Sequence, residues 1–138
     1  MGNALTQRVS FEDVEDAQRG SGVIISVLPE TEQEVLIFKT VAIADEIEAV
    51  EAAIKQRVPI LIYGRNSNDE KVYPKYDQIL KLGGTPYVYS GGLFEWLTLQ
   101  DIYGDAFRTT ARCLDILKYR PRKILNTKYL TYYGRGTA

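Results

Sequence analysis

Few side chains in this sequence could perform catalysis. The 138-residue chain contains no histidine and one cysteine, Cys113. Without histidine there is no Ser-His-Asp or Cys-His nucleophile, no imidazole general base and no imidazole ligand for a metal. A single cysteine forms neither an internal disulfide nor a zinc site built from several thiolates. The composition excludes these hydrolytic and zinc chemistries, indicates no cofactor and predicts a reduced, cytoplasmic protein.

The remaining candidates lie together in a polar loop that follows the apolar run Pro59–Tyr63. Ser67 offers a hydroxyl and Asp69 a carboxylate that could serve as its base, but no third group completes a nucleophile–base–orienter set. Arg65 with the loop N–H groups could instead hold an anion. The simplest interpretation is that Ser67 and Asn68 hydrogen-bond loop backbone. The loop consists of Gly64, Arg65, Asn66, Ser67, Asn68, Asp69 and Glu70.

Charge is divided unevenly along the chain. Residues 1–107 carry 9 basic and 17 acidic side chains, a net charge of −8, whereas residues 108–138 carry 8 basic and one acidic side chain, a net charge of +7. Such a split is typical of an interaction arm. The alternative is that the basic tail folds back onto its own acidic body, because their mutual attraction would dock it without any partner.

The basic tail interleaves cations with tyrosines, which predicts a binding surface. Tyrosine and arginine often anchor protein interfaces. The same side chains can stack bases and contact phosphates, but the acidic body makes nucleic acid an unfavourable partner. We therefore expect an acidic protein surface or a multi-protein assembly as the partner. The candidate partner-binding residues are Lys118, Arg120, Arg122, Lys123, Lys128, Tyr129, Tyr132, Tyr133 and Arg135.

The N-terminus fits the N-myristoylation pattern, with Gly2 after the initiator methionine and Thr6 four residues later. One myristoyl chain gives only marginal membrane binding, so the basic tail would have to add attraction to anionic lipid. An unmodified terminus is the simpler interpretation. No apolar run approaches the roughly 20 residues of a membrane-spanning helix. A membrane is therefore expected as a partner only if Gly2 is acylated.

Amphipathic segments predict the helices. Ser10 followed by acidic residues predicts a capped helix that ends at Gly20. In residues 43–57, helical spacing of apolar side chains predicts a buried face. Pro74 must lie in the first turn of the next helix, so that helix should begin near residues 71–73. The tail predicts one more helix at residues 110–119, with Leu114 and Leu117 facing inward. The apolar face of residues 43–57 comprises Ile43, Ile47, Val50 and Ile54.

Short apolar runs at residues 23–28, 59–63 and 87–89 predict strands buried on both faces. Strands that alternate with helices on short loops indicate parallel crossovers. The sequence therefore predicts an α/β fold, a parallel sheet with helices on both faces. We divide the chain into an N-terminal segment (1–9), a domain (10–107) and a basic Tyr-rich C-terminal arm (108–138).

Several motifs in residues 59–96 resemble the second half of a rhodanese-like domain. In that family a strand ending in Tyr-Cys leads into a loop and a helix, followed by Leu-x-x-x-Gly, a short strand and Gly-Gly-x-x-x-Trp. The glycines allow a tight turn, and the tryptophan packs the last helix on the sheet. The resemblance extends over about residues 10–103 and implies a rhodanese-like sheet. The matching stretches are Ile60-Leu61-Ile62-Tyr63, Ile79-Leu80-Lys81-Leu82-Gly83, Val88-Tyr89 and Gly91-Gly92-Leu93-Phe94-Glu95-Trp96.

The resemblance also locates the missing thiol. Active family members place a cysteine directly after the Tyr-ended strand, where loop N–H groups hold a persulfide or phosphate anion. Gly64 occupies that position here, or Arg65 or Asn66 if the alignment shifts. Asp69 and Glu70 stand where the family often has an arginine, and their charge would repel an anion. The resemblance therefore implies a catalytically inactive homologue with a vacant active-site loop.

These observations predict a non-catalytic rhodanese-like binding or structural module whose basic arm docks on an acidic protein or a large assembly. Rhodanese-like domains also occur in ciliary and centrosomal proteins, so the resemblance implies a cytoskeletal or ciliary location. Two alternatives stay open at this point. One is a sulfurtransferase- or phosphatase-type enzyme with a displaced nucleophile, and the other is a myristoylated peripheral membrane protein.

Overall fold

A computed structural model describes residues 6–125 of the chain. Their core is a four-stranded parallel sheet in the order β1-β4-β3-β2, which confirms the predicted α/β class. The strands are β1 Arg8–Val9, β2 Val23–Ser26, β3 Pro59–Tyr63 and β4 Thr85–Tyr89. The helices are α1 Phe11–Arg19, α2 Glu46–Gln56, α3 Val72–Lys81 and α4 Gly92–Tyr103, and single 3₁₀ turns form at Glu30–Glu32, Ile43–Asp45 and Ile116–Tyr119.

The starts of α1 and α3 follow from residues close to them in the sequence. Ser10 caps α1 through its hydroxyl, which accepts a hydrogen bond from the N–H of Glu12 at 3.2 Å. Asp13 completes a capping box by accepting the N–H of Ser10 at 2.9 Å. Helix α3 begins at Val72 with Pro74 in its first turn, as predicted, since proline lacks only an N–H that a first turn leaves unbonded.

Helices cover both faces of the sheet. Side chains of β3 alternate, so Leu61 and Tyr63 enter one core cluster while Ile60 and Ile62 enter the other. The first cluster joins the sheet to α1 and α4 and contains Trp96, which is fully buried. The second joins the sheet to α2 and α3. Within residues 6–125, none of the helices has the length and apolar character that a membrane span requires.

The predicted apolar face of the segment 43–57 is only partly buried. Val50 is 7% exposed and Ile54 packs against the core, as the spacing predicts. Ile43 and Ile47, in contrast, are 42% and 74% exposed. Residues 43–45 form a 3₁₀ turn that precedes α2, and the buried residues of α2 are Val50 and Ala53. The inward orientation predicted for Ile43 and Ile47 is therefore wrong.

The predicted tail helix at residues 110–119 is wrong. Only a single 3₁₀ turn forms there, at Ile116–Tyr119. Leu114 and Leu117 are 90% and 58% exposed, whereas Tyr119 is 1% exposed and belongs to the first core cluster. The helical spacing of the two leucines does not identify the inward-facing side chains: Tyr119 enters the first core cluster, and Cys113 and Ile116 pack against it.

Candidate functional site

The loop 64–70 lies at the carboxyl end of β3 and is fixed against the start of α4. The carbonyl of Gly64 accepts the N–H of Leu93 at 2.9 Å, and the carbonyl of Arg65 accepts the N–H of Phe94 at 2.8 Å. Gly92 makes this contact feasible, because its φ is +67° and a methyl group there would lie 2.9 Å from backbone atoms of Asn66 and Gly64. The Gly-Gly turn identified in the sequence thus positions the loop.

The carboxylate of Asp69 fills the interior of the loop. Its Oδ2 accepts the N–H of Arg65 at 2.9 Å, and its Oδ1 accepts the N–H of Lys71 at 3.1 Å. A Cβ atom at Gly64 would lie 2.4 Å from Asp69 Oδ2. The protein's own anion therefore occupies the space that a side chain at position 64 would need.

A second side chain of the loop, Asn66, also accepts a backbone N–H of the loop. Asn66 Oδ1 accepts the N–H of Asn68 at 2.9 Å. Both carboxylate oxygens of Asp69 are engaged by N–H groups, and among the described residues no hydrogen bond joins Ser67 to Asp69. The geometry thus lacks the contact that a serine nucleophile would make with its base.

The tail closes over the loop through its own backbone. Arg65 Nη2 donates to the carbonyl of Lys118, and Asn66 Nδ2 donates to the carbonyl of Tyr119 at 2.9 Å. Arg65 also forms an ion pair with Glu32, and its guanidinium lies 5.0 Å from the centre of the Tyr119 ring. The two loop side chains best suited to hold a ligand, Arg65 and Asn66, therefore hold the tail instead.

The part of the tail that precedes Pro121 folds back onto the acidic body. Lys118 Nζ lies 2.6 Å from Glu34 Oε2. That hydrogen bond holds the pKa of Glu34 below its usual value and raises the pKa of Lys118. Burial raises the pKa of the Tyr119 phenol. Lys118, predicted to contact a partner, is here paired within its own chain.

Pairing between the tail and the domain begins at residue 108. Ile37 forms an antiparallel bridge with Thr109, and Phe38 N–H donates to the carbonyl of Arg108 at 3.0 Å. Trp96 Nε1 donates to the same carbonyl at 2.8 Å. The division drawn after residue 107 therefore falls inside a segment that is hydrogen-bonded to the domain.

Three predicted cations of the described tail remain exposed. Among residues 6–125, Arg120, Arg122 and Lys123 form no ion pair, although Arg120 donates to the carbonyl of Leu117 at 2.7 Å. An open cleft of about 610 Å³ separates part of this segment from the loop. It is lined by Ser67, Asn68, Glu70, Tyr73, Arg122, Lys123 and Ile124. The other predicted residues lie outside the described part of the chain: Gly2, Lys128, Tyr129, Tyr132, Tyr133 and Arg135.

Two buried tyrosines, Tyr63 and Tyr89, lie at the ends of β3 and β4 and form hydrogen bonds through their hydroxyl groups. The hydroxyl of Tyr63 lies 2.7 Å from Thr40 Oγ1 and accepts the N–H of Ile37 at 3.1 Å. The hydroxyl of Tyr89 donates to Glu95 in the first turn of α4. Burial raises the pKa of both phenols above the usual tyrosine value. Both phenols therefore stay protonated at neutral pH, and both side chains have a structural role.

Tyr119 and Glu32 complete the site and were missed in the sequence. The available signal was electrostatic: Glu30, Glu32 and Glu34 form an acidic stretch opposite in charge to the tail. Nothing in the residue spacing indicates that Tyr119 rather than another tail tyrosine enters the core.

Comparison with known proteins identifies the fold. No protein-family model and no curated protein matches the sequence. The BH2092 protein from Bacillus halodurans has a TM-score of 0.57 and 16% identity, covering 69% of this chain and 74% of that chain. A protein from Lactobacillus plantarum has a TM-score of 0.56 and 16% identity, covering 70% and 87%. The Alr3790 protein from Anabaena sp. has a TM-score of 0.53 and 17% identity, covering 80% and 84%. At these identities the similarity shows a shared α/β fold with a parallel sheet.

Proposed function

We propose that this chain is a non-catalytic rhodanese-like domain that serves as a binding or structural module. The observation that carries the proposal is the position of Asp69. The resemblance implies that an active member would have a cysteine at position 64 and an anion on the loop amides. Here glycine stands at position 64, and the Asp69 carboxylate lies within 2.4 Å of the missing Cβ and accepts the N–H of Arg65. A fixed carboxylate excludes a second anion by volume and by charge.

Hydrogen bonds between the tail and the loop support the same proposal. The carbonyl oxygens of Lys118 and Tyr119 accept hydrogen bonds from Arg65 and Asn66. An incoming anion would have to break these bonds and the ion pair of Arg65 with Glu32. The loop thus works as a docking point for the chain's own tail.

Activity assays test the absence of catalysis. We expect the full-length protein to show no turnover above the uncatalysed rate with thiosulfate and cyanide, or with an aryl phosphate. Turnover that is lost in a Ser67→Ala or Asp69→Ala variant would overturn the proposal and support the displaced-nucleophile enzyme instead. Turnover that both variants retain and that co-purifies with the protein would also overturn the proposal, because another side chain would then carry the reaction.

A double-mutant cycle tests the placement of Asp69. Gly64→Ala should lower the free energy of unfolding by about 1–3 kcal/mol, because the new methyl group meets the Asp69 carboxylate. Asp69→Ala should cost about 1–3 kcal/mol by leaving the N–H groups of Arg65 and Lys71 without their acceptor. In the double variant the collision is absent. Its loss of unfolding free energy should therefore be smaller than the sum of the two single losses by about 0.5–3 kcal/mol. Urea unfolding measures all three, and strict additivity would contradict the geometry.

The proposed partner is an acidic protein surface or assembly, and the proposed contact is the exposed part of the arm. Arg120, Arg122 and Lys123 are exposed and, among residues 6–125, unpaired with any carboxylate. They retain the charge excess of the tail after Lys118 has paired with Glu34. Exposed cations of this kind steer association with an oppositely charged surface.

Charge-reversal variants test whether the arm binds an acidic partner. We expect the double variant Arg122→Glu, Lys123→Glu to bind a glutamate-rich peptide about tenfold more weakly than the wild type, a loss of about 1.4 kcal/mol. The matched control is Lys55→Glu, Lys81→Glu, which changes the net charge equally at exposed positions of α2 and α3. Fluorescence anisotropy at two salt concentrations measures both. Equal loss in the two variants would mean that net charge, rather than the arm, governs binding.

The same titration compares an acidic protein with the two other classes of partner, membranes and nucleic acids. Vesicles of phosphatidylcholine with phosphatidylserine and a single-stranded oligonucleotide replace the peptide as probes. Stronger salt-dependent binding of either probe than of the glutamate-rich peptide would contradict an acidic protein as the preferred partner.

A further inference from the structure

An apolar groove lies between α2 and α3, on the side of the molecule that the tail does not cover within residues 6–125. We call it the α2–α3 groove; its volume is about 250 Å³. Ile47 and Leu82 stand at its rim, 74% and 59% exposed. Together with the groove, these two side chains form an apolar patch that a docked segment could cover. The lining residues are Glu46, Ile47, Val50, Glu51, Lys75, Gln78, Ile79 and Leu82.

The α2–α3 groove is acidic once its internal pairing is counted. Lys75 Nζ lies 2.6 Å from Glu46 Oε2, so the cation of the groove is already neutralised. Glu51 lines the groove without an ion pair among the described residues. An occupant of this groove should therefore combine large apolar side chains with positive charge.

The C-terminal segment of the same chain has this composition. Residues 126–138 contain Lys128 and Arg135 and no acidic side chain. Between these two cations the segment carries Tyr129, Leu130, Tyr132 and Tyr133, which are large side chains suited to an apolar groove.

Clefts that share lining residues lie between the last described residues and the groove. Ile124 lines the cleft that also contains Glu70 and Tyr73, at the start of α3. A second cleft runs along α3 from Glu70 and Tyr73 to Gln78, and Gln78 also lines the α2–α3 groove. Neighbouring clefts thus lie between the last described residues and the groove.

The length of the segment is sufficient. Residues 126–138 number 13, and an extended chain of that length spans about 43 Å at roughly 3.3 Å per residue. Helix α3, with 10 residues, is only about 15 Å long. Because the tether is short, the effective concentration of the segment near its own groove is in the millimolar range, which favours its own chain over a second copy at ordinary protein concentrations.

We propose that residues 126–138 dock in the α2–α3 groove of their own chain, with the tyrosines and Leu130 against Ile47 and Leu82 and the cations facing the acidic rim. The inference stands apart from the proposed partner, since it concerns the isolated protein.

Paramagnetic relaxation tests the proposal in the full-length protein. In a Cys113→Ser background, Thr137→Cys carries a nitroxide label, and amide peak intensities are compared with those of the reduced label. We expect loss of intensity at the α2–α3 groove, and recovery of those peaks in an added Ile47→Asp variant. The matched control is Ile102→Asp, also an exposed isoleucine at 64%, but on α4. It should leave the groove peaks broadened.

Each other outcome contradicts the proposal. Broadening centred elsewhere on the domain, or no specific broadening, would mean that the segment does not dock in the groove. Broadening of unlabelled ¹⁵N protein mixed with nitroxide-labelled ¹⁴N protein would assign the groove to a second copy. A second variant, Lys128→Glu with Arg135→Glu, should also restore the groove peaks, and it changes no residue of the two core clusters formed by residues 6–125.

Discussion

Tyr119→Ala is expected to lower the free energy of unfolding by about 3–5 kcal/mol, the range for removal of a large buried aromatic side chain. The ring is 1% exposed and lies in the core cluster with Trp96 and Leu93. Its removal leaves a cavity and takes away the face over which Arg65 stacks. Urea unfolding followed by far-UV circular dichroism measures the change.

Two control variants isolate the role of the ring. Tyr119→Phe keeps the packing and should lie close to the wild type. Leu117→Ala changes a neighbouring residue that is 58% exposed, and should cost no more than about 0.5 kcal/mol. If Tyr119→Ala cost as little as Leu117→Ala, the tail would not be attached to the domain at this point, and the closure of the loop by the tail would be refuted.

Gly92→Ala is the second substitution with a large expected effect, a loss of about 3 kcal/mol in unfolding free energy. Two causes act together: the positive φ of +67° costs about 1–2 kcal/mol for an L-residue, and overpacking costs about 1–3 kcal/mol. The new methyl group would lie 2.9 Å from the N and Cα of Asn66 and from the carbonyl oxygen of Gly64. These are backbone atoms, so no side-chain rotation relieves the contact.

Gly83→Ala separates the two causes. Gly83 also has a positive φ, +92°, but a methyl group there would meet nothing within 4 Å. We expect it to cost about 1–2 kcal/mol, for backbone conformation alone. Equal losses in Gly83→Ala and Gly92→Ala, measured by the same urea titration, would mean that the loop 64–70 does not lie against the start of α4.

The sequence predicted those features of the fold that local chemistry controls. The cap at Ser10, the start of α3 near Pro74 and the turn at Gly91 and Gly92 each depend on neighbours within a few residues, and the structure confirms them. The strands predicted at 23–28 and 59–63 are present as Val23–Ser26 and Pro59–Tyr63, and the sequence indicates them because a strand covered on both faces is apolar at nearly every position.

Features that depend on distant pairing were missed. Strand β1 has only two residues and exists because it pairs with β4. The extended pairing of Ile37 with Thr109 joins segments about 70 residues apart, and no local pattern encodes it. The tail was predicted as a helix from the spacing of Leu114 and Leu117, yet both face solvent.

The candidate site was predicted in part. The sequence located the loop 64–70 and the carboxylate of Asp69 at its end. It did not indicate that Asp69 turns back to Gly64, since that depends on the three-dimensional course of the loop. It also left the direction of the tail open, and only the contacts of Lys118 and Tyr119 show that this part of it folds onto the domain.

The order of the strands has a consequence for aggregation. The outer strands of the sheet formed by residues 6–125 are β1 and β2, and both are poor templates for another chain. Strand β1 is two residues long, and the outer side of β2 is already bonded, since Val41 N–H donates to the carbonyl of Ile24 at 2.8 Å. Short and covered edges resist strand-by-strand growth. Extension of this sheet by a strand of another chain is therefore disfavoured at both edges.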